Sequence, residues 1–225
     1  MSLLFNRFKD ADWFGTNQEI LLVGLGGIGK GTAEQLCLLG HKLYIYETDT
    51  VEEHNCIPQG YFKDQIGLTK IKAFSDNITR YGLSLPEFMI GNYDENSMSA
   101  PIMISCVDNM KCRTDMFNNW KKQEDRLLFI DGRMLAEYFE VFIVIKGREE
   151  QYEEYLFTDA DVPTMNCTYQ QTRFVANIIH GIITQQFNNW LSNQTLGFDA
   201  RGLPFKIVYN GMLTELGRNN SYYSL

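Results

Sequence analysis

The sequence predicts an α/β fold, Rossmann-like, with a mainly parallel sheet extended by antiparallel strands and helices on both faces. Three observations carry that prediction. Apolar runs of strand length at 20–23, 43–46 and 102–105 alternate with helical patterns, several of them closed by glycine. Each run ends in a turn rich in chemistry: Gly24-Leu-Gly-Gly-Ile-Gly29, Glu47-Thr-Asp49 continuing to Asn55, and Cys106-Val-Asp-Asn109. Residues 136–146 then read as one long β-rich run, which suits an antiparallel extension.

In order, the glycine turn leads into a helix over about 28–39, stopped by Gly40. After the second strand comes a polar loop through Pro58 and Gly60, then a helix over about 69–81 ended by Gly82. Residues 87–90 and 102–105 read as strands, 110–122 as a helix and 127–130 as a short buried strand. Strands joined by crossover helices imply right-handed parallel connections. Residues 151–157 are expected to pair with 136–146 as a hairpin across Gly147-Arg148. The strongest helical pattern runs from 169 to 191, with Phe174, Ile178 and Ile182 in one row and Ile179, Ile183, Phe187 and Leu191 in the next. A final strand is expected over 205–209.

A chain of 225 residues can bury one substantial core, so residues 1–225 are expected to form a single unit. Residues 1–18 would be an N-terminal arm and 217–225 a flexible tail. The arm is aromatic (Phe5, Phe8, Trp13, Phe14) and suits either a subunit interface or a flap on its own subunit. A net charge of −8 argues against a nucleic-acid partner. No window reaches the roughly 18 apolar residues of a membrane span, and the N-terminus lacks signal-peptide features, so a cytoplasmic location is expected. Five scattered cysteines with no Cys-x-x-Cys pair fit a reduced compartment and exclude a four-cysteine zinc. Cys37 and Cys106 read as core, and His41, His54 and His180 as ordinary surface or loop residues.

The turns carry the chemistry. Gly24-x-Gly26-x-x-Gly29, between a strand and a helix, lets backbone approach a phosphate at a helix N-terminus. Glu47, 18 residues beyond Gly29, ends the second strand, where an acid can hold ribose hydroxyls. These features alone suit NAD. Lys70, on the first turn of its helix, could neutralise a departing pyrophosphate, or be a solvated surface lysine. Asp108 could hold Mg²⁺, or serve as the helix N-cap.

The ordered set Gly24-Leu-Gly-Gly-Ile-Gly29, Glu47-Thr-Asp-Thr-Val-x-x-x-Asn55-x-x-x-Gln59, Gly67-x-x-Lys70 and Cys106-Val-Asp-Asn109-x-x-x-Arg113 resembles the ThiF/MoeB/HesA adenylyltransferases, bacterial relatives of ubiquitin-activating enzymes. The resemblance spans about residues 1–190. It implies ATP and Mg²⁺ as cofactors, and adenylation of the C-terminal glycine carboxylate of a small ubiquitin-like or sulfur-carrier protein. It further implies that Gly24, Gly26, Gly27 and Gly29 cradle the nucleotide and Glu47 takes the ribose. Asp49, Asn55, Gln59 and Lys70 would surround the phosphates, and Asp108 would bind Mg²⁺. By the same likeness the chain is a homodimer, with Arg7 reaching the partner subunit's γ-phosphate. Cys167 would receive the activated acyl group as a thioester or persulfide; its other reading is a buried structural cysteine.

Two departures stand out. The family's Arg-Gln pair is Pro58-Gln59 here, and proline has neither charge nor N–H. Slower catalysis, a substitute arginine or a non-catalytic nucleotide-binding scaffold would each follow from that. The family's zinc-binding cysteine pairs are also absent. The strings 131–134 and 166–172 look more like ThiF-type proteins of phages and mobile elements. An NAD(P)-dependent oxidoreductase is the other alternative; it leaves Asn55, Lys70 and Asp108-Asn109 without a role.

Overall fold

The computed structural model describes residues 7–157, 171–197 and 200–219. Its strands are β1 (Glu19–Val23), β2 (Lys42–Tyr46), β3 (Glu87–Met89), β4 (Ile102–Ser105), β5 (Leu128–Leu135), β6 (Tyr138–Ile145), β7 (Lys206–Asn210) and β8 (Glu215–Asn219). They form one sheet in the order β3-β2-β1-β4-β5-β6-β7-β8. Pairings from β3 through β5 are parallel and those from β5 through β8 antiparallel. The helices are α1 (Gly29–Leu38), α2 (Cys56–Gln59), α3 (Lys70–Arg80), α4 (Met110–Lys121), α5 (Glu149–Glu153) and α6 (Arg173–Leu196).

Both faces of the sheet are buried at its centre, along β1 and β4, and side-chain alternation sorts the core strands between them. Ile20, Leu22, Ile104 and Ile130 pack with α1, α3 and α6, while Leu21, Val23, Met103 and Phe129 pack with α4 and α5. On α6 the row Ile179, Ile183, Phe187 and Leu191 is the core row, each side chain contributing about 1.5–3 kcal/mol of burial. Phe174 at the head of the neighbouring row is exposed, and Ile178 and Ile182 only flank the core.

The expected fold holds, with four local corrections. Residues 151–157 do not pair with β6. Residues 149–153 are α5, because the Glu149 carboxylate accepts the Gly147 N–H at 2.6 Å and the Arg126 guanidinium at 2.7 Å, while Tyr152 fills the core. The antiparallel partners of β6 are β5 and β7. β5 runs to Leu135 rather than stopping at 130, turning into β6 through Ala136 in the left-handed region (φ 54°). The expected flexible tail from Gly217 is strand up to Asn219, since a turn through Thr214 (φ 54°) folds β8 back onto the open edge of β7.

At the N-terminus Phe8 stacks on Trp13 (ring centroids 5.6 Å) and meets Phe14 edge-on at 5.5 Å. Trp13 packs against the main core, so the described part of the arm rests on the body of the same chain. No helix among the described residues is long and apolar enough to cross a membrane.

Candidate functional site

From β1 the chain steps outward to β2 and β3, then returns to place β4 on the other side of β1. This reversal opens a crevice at the carboxyl ends of β1 and β4, where ligands of open α/β sheets sit. The glycine turn borders it. Gly24 has φ 94°, and a Cβ there would lie 2.7 Å from the Cys106 carbonyl oxygen, so only glycine lets the β1 and β4 turns pass this closely. A Cβ on Gly29 would overlap the Gly24 carbonyl, and one on Gly27 would lie 2.6 Å from the Gln171 side chain. A Cβ on Gly26 would meet no atom within 4 Å, so this residue borders the open space.

The Glu47 carboxylate is bound to backbone. Its Oε2 accepts the Leu25 N–H at 2.7 Å, and its Oε1 accepts those of Thr48 and Asp49 at 2.7 and 2.8 Å. The acid therefore holds the glycine turn and its own loop in one conformation, with lone pairs remaining for a ligand hydroxyl. The backbone N–H of Lys70 bonds to the Asp49 carbonyl at 2.8 Å, and its ammonium to the Asp49 carboxylate at 2.8 Å. Lys70 is only 5% exposed, which rules out a solvated surface lysine, while the Asp49 side chain is 65% exposed. Asn55 is buried and accepts the Glu52 N–H at 2.9 Å, shaping the turn before α2. On α2, the Gln59 Oε1 is buried with no partner among the described residues.

At the end of β4 the helix cap is Asn109, whose Oδ1 accepts the Cys112 N–H at 2.8 Å. Asp108 is not the N-cap. Among the described residues its exposed carboxylate has only a 3.4 Å contact from the Asn109 side chain, so it keeps lone pairs for a cation. Behind it lies a buried network that sequence reading did not find. Asp131 is fully buried and receives Arg113 Nε at 2.8 Å, Arg133 Nε at 2.6 Å and the Tyr152 hydroxyl at 2.8 Å. Burial alone would raise the Asp131 pKa, but the two guanidiniums hold it below the ordinary carboxylate value. Arg113 Nη2 also donates to the Val107 carbonyl at 2.7 Å, so this network fixes the segment carrying Asp108.

Two further residues brace the glycine turn. The Tyr61 hydroxyl donates to the Leu25 carbonyl at 2.8 Å, and burial pushes its pKa up. His180 is 3% exposed and its Nε2 lies 2.7 Å from the Gly27 carbonyl, which makes Nε2–H the donor. Burial lowers its pKa to about 4. His41 is buried too, with its pKa likewise lowered to about 4, so of the three histidines only His54 is an exposed surface residue. The signal for His180 was its place beside Ile179 and Ile183 on the core face of α6.

Hydrogen bonds thus link Lys70 to Asp49, Asp49 to Glu47, and Glu47 through Leu25 to the turn that carries Gly24, Gly26, Gly27 and Gly29, with Asn55 and Gln59 on the adjoining turn. Asp108 borders the same crevice from β4. Arg7 is exposed in a turn of the N-terminal arm, and Cys167 lies outside the described residues. No group of three or more potential His, Cys, Asp or Glu metal ligands occurs among the described residues, so a cation here would need ligand oxygens as well as Asp108.

Fold and crevice together define a Rossmann-like α/β protein with a glycine turn able to cradle phosphate at a helix N-terminus. The chain belongs to the ThiF family, whose model matches residues 16–210. Ubiquitin-like modifier-activating enzyme 5 of Oryza sativa subsp. japonica is 30% identical over 115 residues, 42% of this chain and 27% of that protein. The Arabidopsis thaliana enzyme of the same name is 30% identical over 118 residues, again 42% of this chain and 27% of the relative. The match therefore spans little more than a quarter of these curated relatives. Among solved structures, PaaA superposes with a TM-score of 0.69 at 18% identity, covering 92% of this chain and 64% of that one. Escherichia coli MccB with ATP superposes with a TM-score of 0.66 at 13% identity, covering 93% and 65%. At these identities the likeness is one of fold.

Proposed function

We propose that this chain is an ATP-dependent adenylyltransferase that activates the C-terminal carboxylate of a small ubiquitin-like or sulfur-carrier protein ending in glycine. The observation that carries this reading is the buried Lys70 ammonium, held by Asp49 and linked through Glu47 to the glycine turn. Burying a lysine beside one half-exposed acid is costly unless an anion joins it, and a triphosphate is such an anion. Family membership and the relatives named as ubiquitin-like modifier-activating enzymes favour ATP over NAD.

In this reading the substrate carboxylate attacks the α-phosphorus of ATP. A P–O bond to the carboxylate forms, the bond to the β-phosphate oxygen breaks, and pyrophosphate leaves with the electron pair. No general base is needed, because the nucleophile is already ionised. The protein's contribution is position and electrostatics. Glu47 accepts ribose hydroxyls, and Lys70, Asn55 and Gln59 surround the phosphates, to which the Gln59 amide N–H groups can donate. Asp108, with its exposed carboxylate, would hold Mg²⁺, which supplies charge neutralisation on the phosphate oxygens. The active unit is a homodimer in which Arg7 reaches the partner's γ-phosphate, and the Cys167 thiolate attacks the acyl carbon of the adenylate, forming a thioester as the carbon–oxygen bond to phosphate breaks and AMP leaves. All 225 residues act as one unit.

Pro58 favours a second reading, a nucleotide-binding scaffold that does not turn over. Pyrophosphate exchange with candidate carriers separates the two. Exchange that falls at least 100-fold in Lys70→Ala and Asp108→Ala supports the enzyme. ATP binding without exchange, in the presence of a carrier that binds, supports the scaffold. A protein whose melting temperature rises with NAD but not with ATP and Mg²⁺ would overturn both.

A further inference from the structure

We infer that Arg173, the first residue of α6, supplies the phosphate-binding guanidinium that this chain lacks at position 58. The inference rests on the ATP reading above. Three observations place Arg173 there. Gly60, two residues after Pro58, closes α2 in the left-handed conformation (φ 71°), and a Cβ on it would overlap the Arg173 guanidinium. The guanidinium thus lies against the turn that in the family's pattern would carry arginine. Two residues earlier, the Gln171 side chain lies over Gly27, so the start of α6 borders the glycine turn directly. Finally, the Arg173 charge is felt at both Lys30, in the first turn of α1, and His180, which holds the Gly27 carbonyl.

Charge bookkeeping favours an anionic ligand. Lys30 is buried and paired with Glu34 at 3.6 Å, with the Tyr61 ring 5.4 Å from its ammonium. Lys70 is paired with Asp49. Among the described residues no hydrogen bond or ion pair engages the Arg173 guanidinium, in a protein whose net charge is −8. An unspent guanidinium beside the buried Lys30 ammonium is repelled by it, and both are relieved by a β- or γ-phosphate. The planar fork of arginine suits two phosphate oxygens at once, which lysine cannot match. Glycine at position 60 gives the fork its room, and Pro58 no longer competes for the same oxygens.

The test is calorimetric titration of the full chain with ATP and with AMP, both with Mg²⁺, on wild type, Arg173→Ala, Arg173→Lys and the double variant Pro58→Arg/Arg173→Ala. Expected is a loss of about 10- to 100-fold in ATP affinity for Arg173→Ala, the scale of a lost charged contact. AMP affinity should be unchanged, Arg173→Lys should recover part of the loss, and the double variant should recover most of it. Arg173→Gln, which keeps the stem and loses only the charge, replaces the alanine variant if that does not fold. Unchanged ATP affinity in Arg173→Ala overturns the inference, as does an equal loss for ATP and AMP, which would mark a structural role. A wild-type protein that binds no ATP would instead sink the underlying reading of the site, and this inference with it.

Discussion

Replacing Asp131 by asparagine removes one buried charge while keeping its volume, so no cavity contributes to the outcome. In the native protein this carboxylate sits between Arg113 and Arg133, at 2.8 and 2.6 Å, and is itself wholly buried. The substitution strands two guanidiniums, of which Arg113 has nowhere to turn for solvent. Breaking a buried pair from one side costs about 3–5 kcal/mol. For a chain of 225 residues, at about 2–4 °C per kcal/mol, the melting temperature should fall by roughly 6–20 °C. Because Arg113 also holds the Val107 carbonyl, the Asp108 segment should loosen, and ATP affinity should fall as well, by a smaller factor than in Asp108→Ala. Differential scanning calorimetry with an ATP titration measures both. Since Asp131 has its folded pKa depressed, its contribution is complete above the unfolded value of 3.8 and is lost as pH falls through the lower folded value. The gap between wild type and variant should therefore be flat from pH 8 to about 5 and close only in stronger acid. A variant melting within about a degree of wild type at pH 7 would refute the reasoning, and would mean the two arginines find solvent or other acceptors.

Two further outcomes follow from the buried histidines. Burial holds both His41 and His180 neutral, with pKa values lowered to about 4 from 6.5, so the stability they lend is full above pH 6.5 and is lost as pH falls toward 4. Each should contribute a slope of about 1.4 kcal/mol per pH unit in that window, and urea unfolding at pH 7 and 5 should show His180→Gln with the shallower dependence. Gly31→Ala would press a methyl into the His180 ring, at a cost of about 1–3 kcal/mol. Adding His180→Ala should relieve much of that strain, giving a coupling of more than about 0.5 kcal/mol in a double-mutant cycle of urea midpoints.

The parallel core was legible because its signals are local. The runs at 20–23 and 102–105 are apolar on both faces, and Thr69 caps α3 within three residues of sequence, accepting the Lys72 N–H, whereas the cap offered at Asp108 falls one residue on, at Asn109. What escaped depends on partners distant in sequence. Residues 151–157 carry Tyr, Leu and Phe at spacings that suit a strand, and only the capture of Glu149 by Arg126 and Gly147 turns the preceding segment helical. β8 is polar and exposed, so nothing but the free edge of β7 recruits it. Arg113 and Asp131 stand 18 residues apart on a helix and a strand, and their pairing exists only once β4 and β5 are neighbours. The Lys70–Asp49 pair, 21 residues apart, hid for the same reason, although both residues had been marked by their motifs.

The glycine turn shows why these long-range contacts matter to the site. Its acceptors are used up from within the fold: the Leu25 carbonyl by Tyr61, the Gly27 carbonyl by His180 and the Gly26 carbonyl by the Lys30 N–H at 3.2 Å. Its first donors are used as well, the Gly24 N–H by the Tyr46 carbonyl at 2.9 Å and the Leu25 N–H by Glu47. Within the described residues no hydrogen bond engages the N–H groups of Gly26, Gly27 or Ile28. With the carbonyls of residues 25–27 already bonded, an incoming phosphate meets these donors at the start of α1 with little carbonyl repulsion to offset them. Each brace therefore acts on the ligand through the polarity it leaves exposed, and removing Tyr61 or His180 would free an acceptor in the wall of the site as well as loosen it. That is a stronger reason for burying a neutral histidine beneath a glycine turn than packing alone, because a core position could be filled by leucine and a free carbonyl could not.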